Sequence, residues 1–254
     1  MSRPDRFTGM TALITGAGSG IGRATAQALV AEGARVMVAD IDPEGGSAAA
    51  LELGEAAAFV ELDVADEAAW ARGVQSTIDR FGRLDLLVNC AGVGGGRDIE
   101  SESLEHWNRV LATNMTGAFL GCRAAIPRMR EVGGGAIVNV ASAAAIKPLP
   151  ASPAYSAAKA GIVQLTRAVA LHCAQQRLNI RCNSVLPGIT DTPRLGAGPE
   201  ADRDALLDRL VATYQPAGRT IRPEEVAQTI LFLLSEDAAM ATGAAMTLDG
   251  GFSL

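Results

Sequence analysis

The sequence predicts an α/β fold in which seven parallel strands form one doubly wound sheet with helices on both faces. Two observations support this prediction. Short segments that are apolar throughout alternate with longer segments of helical periodicity along the 254-residue chain, and such strands are typical of a sheet buried on both sides. In addition, no Gly/Ser-rich or Pro-rich linker divides the chain. We therefore expect residues 1–254 to form a single domain.

Each element has its own signal in the sequence. The predicted strands are the apolar runs at residues 12–15, 36–40, 57–63, 84–89, 136–141, 180–186 and 244–249. A first helix is predicted at 21–32, where small or apolar side chains share one helical face. The remaining signals are typical helix starts at Asp42–Pro43 and Pro223, typical helix ends at Gly33 and Gly82, and two longer helices at about 103–130 and 153–177.

The interval at about 187–222 is rich in Gly, Pro and charge, and it shows helical periodicity only near 205–214. An interval of this kind is uncommon in a compact domain unless it has a function. We therefore predict a lid insertion over the substrate at 187–222.

Composition and charge exclude several kinds of partner. The formal net charge is −6, from 22 Lys and Arg against 28 Asp and Glu. Since nucleic acids and anionic membranes are bound through clustered Lys and Arg, we expect neither as a partner and favour a small molecule. The four cysteines are far apart, which disfavours a zinc or dithiol site. Without a recognisable signal peptide or membrane span, we expect a soluble cytoplasmic protein.

The stretch ITGAGSGIGRA at 14–24 places a glycine at every second position between a strand and a helix, namely Gly16, Gly18, Gly20 and Gly22. Backbone N–H groups and the positive end of a helix dipole meet there, which suits a pyrophosphate. Missing Cβ atoms allow the tight turn and the close approach of a phosphate. The spacing is T-G-x-x-x-G-x-G rather than G-x-G-x-x-G. A glycine-rich turn without a ligand is the alternative.

Asp40 ends the second predicted strand, about 20 residues beyond the glycines, where a carboxylate can accept hydrogen bonds from adenosine ribose hydroxyls. A 2′-phosphate would meet a like charge there, and Ser19 and Ile41 in the same region offer no cation. NAD is therefore favoured over NADP. The alternative is that Asp40 only caps the following turn together with Asp42.

Tyr155 and Lys159 in the stretch YSAAK are four residues apart on one face of a helix predicted to begin near Ser152 or Pro153. A tyrosine ordinarily keeps its proton up to a pKa of about 10. A nearby ammonium group and a positively charged nicotinamide would favour the phenolate and lower this pKa. For an isolated pair at this spacing, an exposed polar helix face is the favoured interpretation.

These features occur in a fixed order together with further short motifs. The order is the glycine turn with Thr15, Asp40, Asp63–Val64, N-x-A-G at 89–92, Asn114, Ser142, Tyr155 with Lys159, and Pro187–Gly188 with Thr192. In these motifs, and over essentially its whole length, the chain resembles the short-chain dehydrogenase/reductase family. The resemblance implies a Rossmann fold and hydride transfer between a nicotinamide cofactor and a secondary alcohol or ketone.

The resemblance implies a role for each matching residue. Ser142 would hydrogen-bond the substrate oxygen, and Tyr155 would remove the hydroxyl proton in oxidation or supply it in reduction. Lys159 would hold the nicotinamide ribose, and the backbone of Asn114 would bind an ordered water in a proton relay. The implied cofactor-binding residues are Gly16, Ser19, Gly20, Ile21, Gly22, Asp40, Ile41, Asp63, Val64, Asn89, Ala91, Gly92, Tyr155, Lys159, Pro187, Gly188, Ile189 and Thr192.

The resemblance also implies a substrate region and an assembly. The implied lining is small and mostly apolar, with Arg97 or Arg194 as available cations, and comprises Val93, Gly94, Gly95, Ala143, Ala144, Pro150, Ser152, Ile189 and Leu195. It suits an apolar or cyclic alcohol, and the stretch at 170–188 is similar to bacterial hydroxysteroid dehydrogenases. A 3-oxoacyl thioester reductase is the rival enzyme, although most of those use NADPH. A homotetramer paired through the helices at 103–130 and 153–177 is implied, and a non-catalytic NAD-binding scaffold is the alternative of another class.

Three residues with reactive side chains receive no chemical role. Cys90 stands where many family members have a second asparagine, and we interpret it as packing. His106 and His172 show neither metal spacing nor a serine partner, and we interpret both as surface or packing residues.

Overall fold

The computed structural model describes residues 5–193, residue 195 and residues 200–254. Its seven strands are all parallel and form one sheet in the order β3-β2-β1-β4-β5-β6-β7. They are β1 (Thr11–Thr15), β2 (Arg35–Asp40), β3 (Ala57–Glu61), β4 (Leu86–Asn89), β5 (Gly135–Val140), β6 (Ile180–Pro187) and β7 (Ala245–Leu248). The predicted seven-stranded parallel sheet is confirmed.

Helices lie around the sheet, as predicted. They are α1 (Gly20–Ala31), α2 (Pro43–Leu53), α3 (Glu67–Phe81), α4 (Leu104–Leu111), α5 (Gly117–Glu131), α6 (Pro153–Gln175), α7 (Glu200–Tyr214) and α8 (Pro223–Leu234). The capping signals are confirmed, since Asp42 caps α2, Pro43 and Pro223 are first helical residues, and Gly82 follows α3 with φ +82°. None of the helices within the described residues is long and apolar enough to cross a membrane.

Each strand of the sheet centre buries both of its faces. Along β1, Ala12 and Ile14 join the apolar core under α1 and α8, whereas Leu13 joins the core under α3, α5 and α6. Because successive side chains point to opposite faces, a strand covered on both sides must be apolar at every position. This is the physical reason why the sequence pattern predicted the architecture.

The predicted helix at 103–130 is divided by a π turn, Ala112–Thr116, which separates α4 from α5. A π turn adds one residue to the helical repeat and frequently occurs at a functional site. Asn114 lies at its centre. The divided helix therefore presents Asn114 differently from a residue of a regular helix.

The order of the strands places the predicted motifs at one edge of the sheet. The chain turns from β1 to β2 on one side and continues through β4 on the other, and doubly wound sheets bind ligands at this switch point, beyond the carboxyl ends of the strands. Gly16 directly follows β1, Cys90 follows β4, Ser142 lies two residues beyond β5, and Gly188 follows β6. This edge is the candidate site.

Candidate active site

The glycine turn joins β1 to α1 and packs tightly against the segment that follows β4. Gly16 has φ +66°, and a Cβ on it would lie 2.9 Å from the Cα of Ala91. A Cβ on Gly22 would lie 2.3 Å from the carbonyl oxygen of Gly16. Neither distance allows a side chain, so packing within the chain alone requires these two glycines.

The other two glycines bring more distant residues to the turn. Gly20 has φ +52°, and a Cβ on it would lie 3.2 Å from Cγ2 of Thr192, so the segment after β6 passes close to the turn. A Cβ on Gly18 would lie 3.0 Å from Oδ2 of Asp40. The predicted cofactor residues of three separate segments therefore meet at the glycine turn.

The N-terminus of α1 has the properties of an anion site. Ser19 is the N-cap residue, but its hydroxyl makes no capping hydrogen bond, and the first turn of α1, all of it described, contains no acidic residue. The N–H groups and the positive end of the helix dipole therefore have no carboxylate of this turn beside them. With glycines in place of side chains in the adjoining turn, these residues fit a pyrophosphate.

Asp40 stands beside the glycine turn and is 8% exposed. Its Oδ2 accepts a hydrogen bond from the Gly18 N–H (2.9 Å), and its Oδ1 accepts one from the Asp42 N–H (3.0 Å). The capping role that the sequence left open is thus present, and the same carboxylate also holds the glycine turn. Since a carboxylate has about four acceptor positions, it retains capacity for ribose hydroxyls.

Asp63 and Val64 lie between β3 and α3. The exposed Asp63 accepts a hydrogen bond from the Ala65 N–H at 2.9 Å. Val64 is buried, and its Cγ2 lies 2.9 Å from the position of a Cβ on Gly117, the first residue of α5. Val64 therefore packs where α5 begins, directly after the π turn that carries Asn114.

The segment after β4 is tied to the glycine turn through Thr15. The Thr15 hydroxyl oxygen accepts hydrogen bonds from the N–H groups of both Cys90 and Ala91, each at 3.1 Å. The side chain of Asn89 points into the core instead, where its Nδ2 donates to Oδ1 of Asn139 at 2.8 Å. Asn89 therefore acts structurally, by fixing the end of β4 below the site.

Ser142, Tyr155 and Lys159 come together at the carboxyl end of β5. The Ser142 hydroxyl lies close enough to the Tyr155 phenol to lower its pKa. Lys159 is 4% exposed, and its Nζ lies 5.4 Å from the centroid of the Tyr155 ring and donates to the carbonyl of Val140 at 2.8 Å. The alternative of an exposed polar helix face is wrong, because the lysine is buried beside the tyrosine.

Burial has the largest effect on the pKa of Tyr155 and raises it, while the nearby Ser142 hydroxyl lowers it and the nearby Cys90 side chain raises it. The sequence led us to expect a lowered pKa from Lys159. In the chain by itself desolvation of the phenolate is the largest effect, and the ammonium lies over the ring. Cys90 is therefore close enough to Tyr155 to affect the pKa of the phenol.

Asn114 is 1% exposed, so the alternative of a solvent-facing helical residue is wrong. Its Nδ2 donates to the carbonyls of Val93 (2.8 Å) and Val110 (2.9 Å), and its Oδ1 has no partner among the described residues. A cavity of about 10 Å³ is lined by Asn114, Val140 and Thr15, among others. This volume accommodates the centre of one water molecule, and the Val140 carbonyl in its lining also accepts the Lys159 hydrogen bond.

Gln215 was not identified from the sequence, and it organises the segment after β6. It is 3% exposed; its Oε1 accepts from the Ile189 N–H at 2.7 Å, and its Nε2 donates to the Ile189 carbonyl at 3.4 Å. A Cβ on Gly188 would lie 2.5 Å from the same Oε1, which explains the glycine after Pro187. A single glutamine at the end of α7 carries no sequence signal for this role.

The remaining predictions concern the substrate lining, the lid and a metal site. Val93, one of the predicted lining residues, packs against the same apolar cluster as Tyr155. Arg194 lies outside the described residues, as does part of the predicted lid. No group of His, Cys, Asp and Glu side chains suitable for a metal ion occurs among the residues that the structure covers.

A family model described as enoyl-(acyl carrier protein) reductase matches residues 16–253. The chain is 37% identical over 246 residues to a 3-alpha-(or 20-beta)-hydroxysteroid dehydrogenase of Mycobacterium bovis, covering 97% of this chain and 90% of the relative. It is 39% identical over 252 residues to a D-threitol dehydrogenase of Mycolicibacterium smegmatis, covering 98% and 95%. It is 37% identical over 261 residues to a trans-4-hydroxycyclohexanecarboxylate dehydrogenase of Sinomonas cyclohexanicum, covering 99% and 96%.

Proposed function

The chain belongs to the short-chain dehydrogenase/reductase family of oxidoreductases, which use a nicotinamide cofactor, and we propose that it interconverts a secondary alcohol and a ketone with NAD. The observation that carries this proposal is the contact of Ser142, Tyr155 and Lys159 at the sheet edge that also holds the glycine turn. A scaffold without catalysis would not need a buried lysine beside a partly buried tyrosine.

The described residues supply what proton transfer at the substrate oxygen requires. Ser142 would hydrogen-bond the oxygen, and Tyr155 would take the hydroxyl proton in oxidation or return it in reduction. Lys159 holds positive charge beside the phenol, and the lining of the small cavity leads from the Val140 carbonyl, which Lys159 contacts, to Asn114. When bound, the nicotinamide supplies the hydride acceptor or donor.

The preference for NAD rests on Asp40. Its carboxylate lies at the end of β2 next to Gly18, where it offers acceptors to ribose hydroxyls and repels a 2′-phosphate. The glycine turn and the N-terminus of α1 would bind the pyrophosphate, and Thr192 would close over it from the segment after β6.

We propose an apolar or cyclic alcohol, such as a hydroxysteroid, as the substrate. The predicted lining around Val93 is apolar where it meets Tyr155. The relatives named above include enzymes for hydroxysteroids, a hydroxycyclohexanecarboxylate and a linear polyol. The carrier-protein description of the family model favours a 3-oxoacyl thioester as the second candidate.

The assembly proposed for this enzyme is a homotetramer. Phe119 on α5 is 43% exposed and Leu171 on α6 is 59% exposed. Exposed large apolar side chains on these two helices support pairing through them.

The proposed function is tested by the rate of NADH formation with purified protein and a panel of hydroxysteroids, alicyclic alcohols, polyols and 3-hydroxyacyl thioesters. We expect fast turnover of a hydroxysteroid or alicyclic alcohol, with NADP as a poor replacement for NAD. Preference for the thioesters would support the second candidate. NAD binding without turnover of any class would support the scaffold.

Substitution of Ser142 by alanine tests the proton step through its pH dependence. The rate of oxidation rises with pH as Tyr155 loses its proton. Because the Ser142 hydroxyl lowers the pKa of Tyr155, Ser142→Ala should move this rise to higher pH and lower kcat/KM by roughly 10²-fold. The measurement is kcat/KM across about pH 6 to 11. A rise at unchanged or lower pH would contradict the assigned role.

A further inference from the structure

Glu102 and His106 form a buried ionisable pair outside the catalytic residues. Nδ1 of His106 lies 2.6 Å from Oε1 of Glu102, and the two side chains are 9% and 5% exposed. Ser103 begins α4 by accepting the His106 N–H at 3.1 Å, which fixes the helical turn that carries the imidazole. Of the two interpretations of His106, a surface position is wrong, because the imidazole is buried.

The pair leaves one buried polar atom without a hydrogen bond to any described residue. Oε2 of Glu102 is buried and has no hydrogen-bond partner among the residues described. A buried carboxylate oxygen without a donor opposes folding, and replacing a buried ionisable pair with apolar side chains is often neutral or stabilising. Packing by itself therefore does not explain why the chain has Glu102 and His106 here. The contacts of the imidazole indicate another role.

The imidazole occupies the place of a side chain on Gly95. A Cβ on Gly95 would lie 2.3 Å from Nε2 and 2.5 Å from Cε1 of His106. From the other side, the hydroxyl of Ser152 donates a hydrogen bond to the Gly95 carbonyl. Gly95 is thus held between α4 and the start of α6.

Gly95 lies on a segment that packs near the catalytic tyrosine. Two residues before Gly95, the Val93 carbonyl accepts a hydrogen bond from Asn114 at 2.8 Å, and Val93 packs against the same apolar cluster as Tyr155. Ser152 stands three residues before Tyr155. The segment at 93–97 is therefore attached at Val93 to the π turn and at Gly95 to both neighbouring helices.

We propose that Glu102 and His106, together with Ser152, are positioning residues that fix the segment at 93–97 as a wall of the substrate site and thereby determine how bulky a substrate is accepted. The inference rests on the proposed function, because it concerns the substrate of that site. Glu102 orients the imidazole, the imidazole excludes a side chain at position 95, and Ser152 links this position to the helix of Tyr155. None of the three is assigned a proton or hydride transfer step.

The test compares three variants with a matched control. Glu102→Gln keeps an acceptor for Nδ1, Glu102→Leu removes it, and the double variant Glu102→Leu/His106→Leu removes the ring without leaving a buried polar group unpaired. The control is His172→Phe, because His172 is exposed on α6. The first measurement is amide hydrogen exchange at 93–98 in the free protein, and the second is the ratio of kcat/KM between a compact and a bulky secondary alcohol.

We expect Glu102→Leu and the double variant to exchange roughly five- to tenfold faster at 93–98, the equivalent of one lost hydrogen bond. In both variants KM should increase more than kcat changes. The kcat/KM values for the compact and the bulky alcohol should become more similar, and the affinity for NAD should be unchanged. Glu102→Gln and His172→Phe should resemble the wild type.

Wild-type exchange in the double variant, or faster exchange with an unchanged substrate ratio, would overturn the inference. A Glu102→Gln variant as impaired as Glu102→Leu would overturn the hydrogen-bonding role of Glu102. If no alcohol is turned over by the wild type, the proposed function fails, while the exchange measurement still decides whether the pair fixes the segment.

Discussion

Tyr155→Phe is expected to lower kcat/KM for alcohol oxidation by about 10³-fold, within the range that general acid–base catalysis contributes. The phenol lies beside Ser142 and the Lys159 side chain. It is the proposed proton acceptor at the substrate oxygen, so Tyr155→Phe removes that acceptor. Since the ring remains, its apolar contacts with Val110 and Ala154 are kept. NAD affinity and the melting temperature should therefore change little.

Tyr214→Phe is the matched control for this experiment. The chain has only 2 tyrosines, and the ring of Tyr214 stacks on Phe252 with centroids 5.5 Å apart, which the substitution preserves. We expect the control to retain wild-type kcat/KM. Tyr155→Phe with undiminished turnover would remove Tyr155 from the mechanism, and a variant that neither turns over nor binds NAD would indicate a structural effect instead.

The sheet was predictable because short stretches of sequence determine its strands and the ends of its helices. A strand buried on both faces needs an apolar residue at every position, as Ala12, Leu13 and Ile14 show, and helix caps depend on one or two residues. The π turn at Ala112–Thr116 was not predictable, since inserting one residue into a helix changes packing without a residue type of its own. The orientation of Asn114 follows from that turn.

The part of the candidate site that consists of short motifs in a recognisable order along the chain was predictable. Gln215, the Glu102–His106 pair and the bond from Ser152 to Gly95 lie outside those motifs. Two of these contacts join residues distant in sequence, namely Ile189 with Gln215 and Gly95 with Ser152. Contacts of this kind depend on how helices pack at the sheet edge. No periodicity or local spacing reports them.

The glycine stretch at 14–24 is consistent both with a turn that binds no ligand and with a cofactor site. Gly16 and Gly22 are required by contacts within the chain, as a turn without a ligand would predict. Gly18 is different, because its N–H donates to the carboxylate of Asp40, the residue that we propose selects the cofactor. The choice between a structural turn and a cofactor site therefore depends on Asp40 more than on the glycines.

Asp40→Ala is expected to lower the NAD/NADP ratio of kcat/KM by roughly 10- to 100-fold, the equivalent of one charge-assisted hydrogen bond together with relief of repulsion from the 2′-phosphate. The carboxylate also accepts the N–H groups of Gly18 and Asp42. Alanine should therefore weaken binding of both cofactors, and only the ratio between them isolates the selectivity.

Asp40→Asn separates these two effects, because the amide oxygen can still accept one of the two N–H groups while the negative charge is gone. If charge repulsion dominates, the asparagine variant should gain activity with NADP almost as far as alanine, with less loss with NAD. Asp42→Asn is the matched control, since Asp42 caps α2 at the surface and should leave the ratio unchanged. An unchanged ratio in both Asp40 variants would mean that Asp40 only scaffolds the glycine turn, and that selection between the cofactors arises elsewhere in the site.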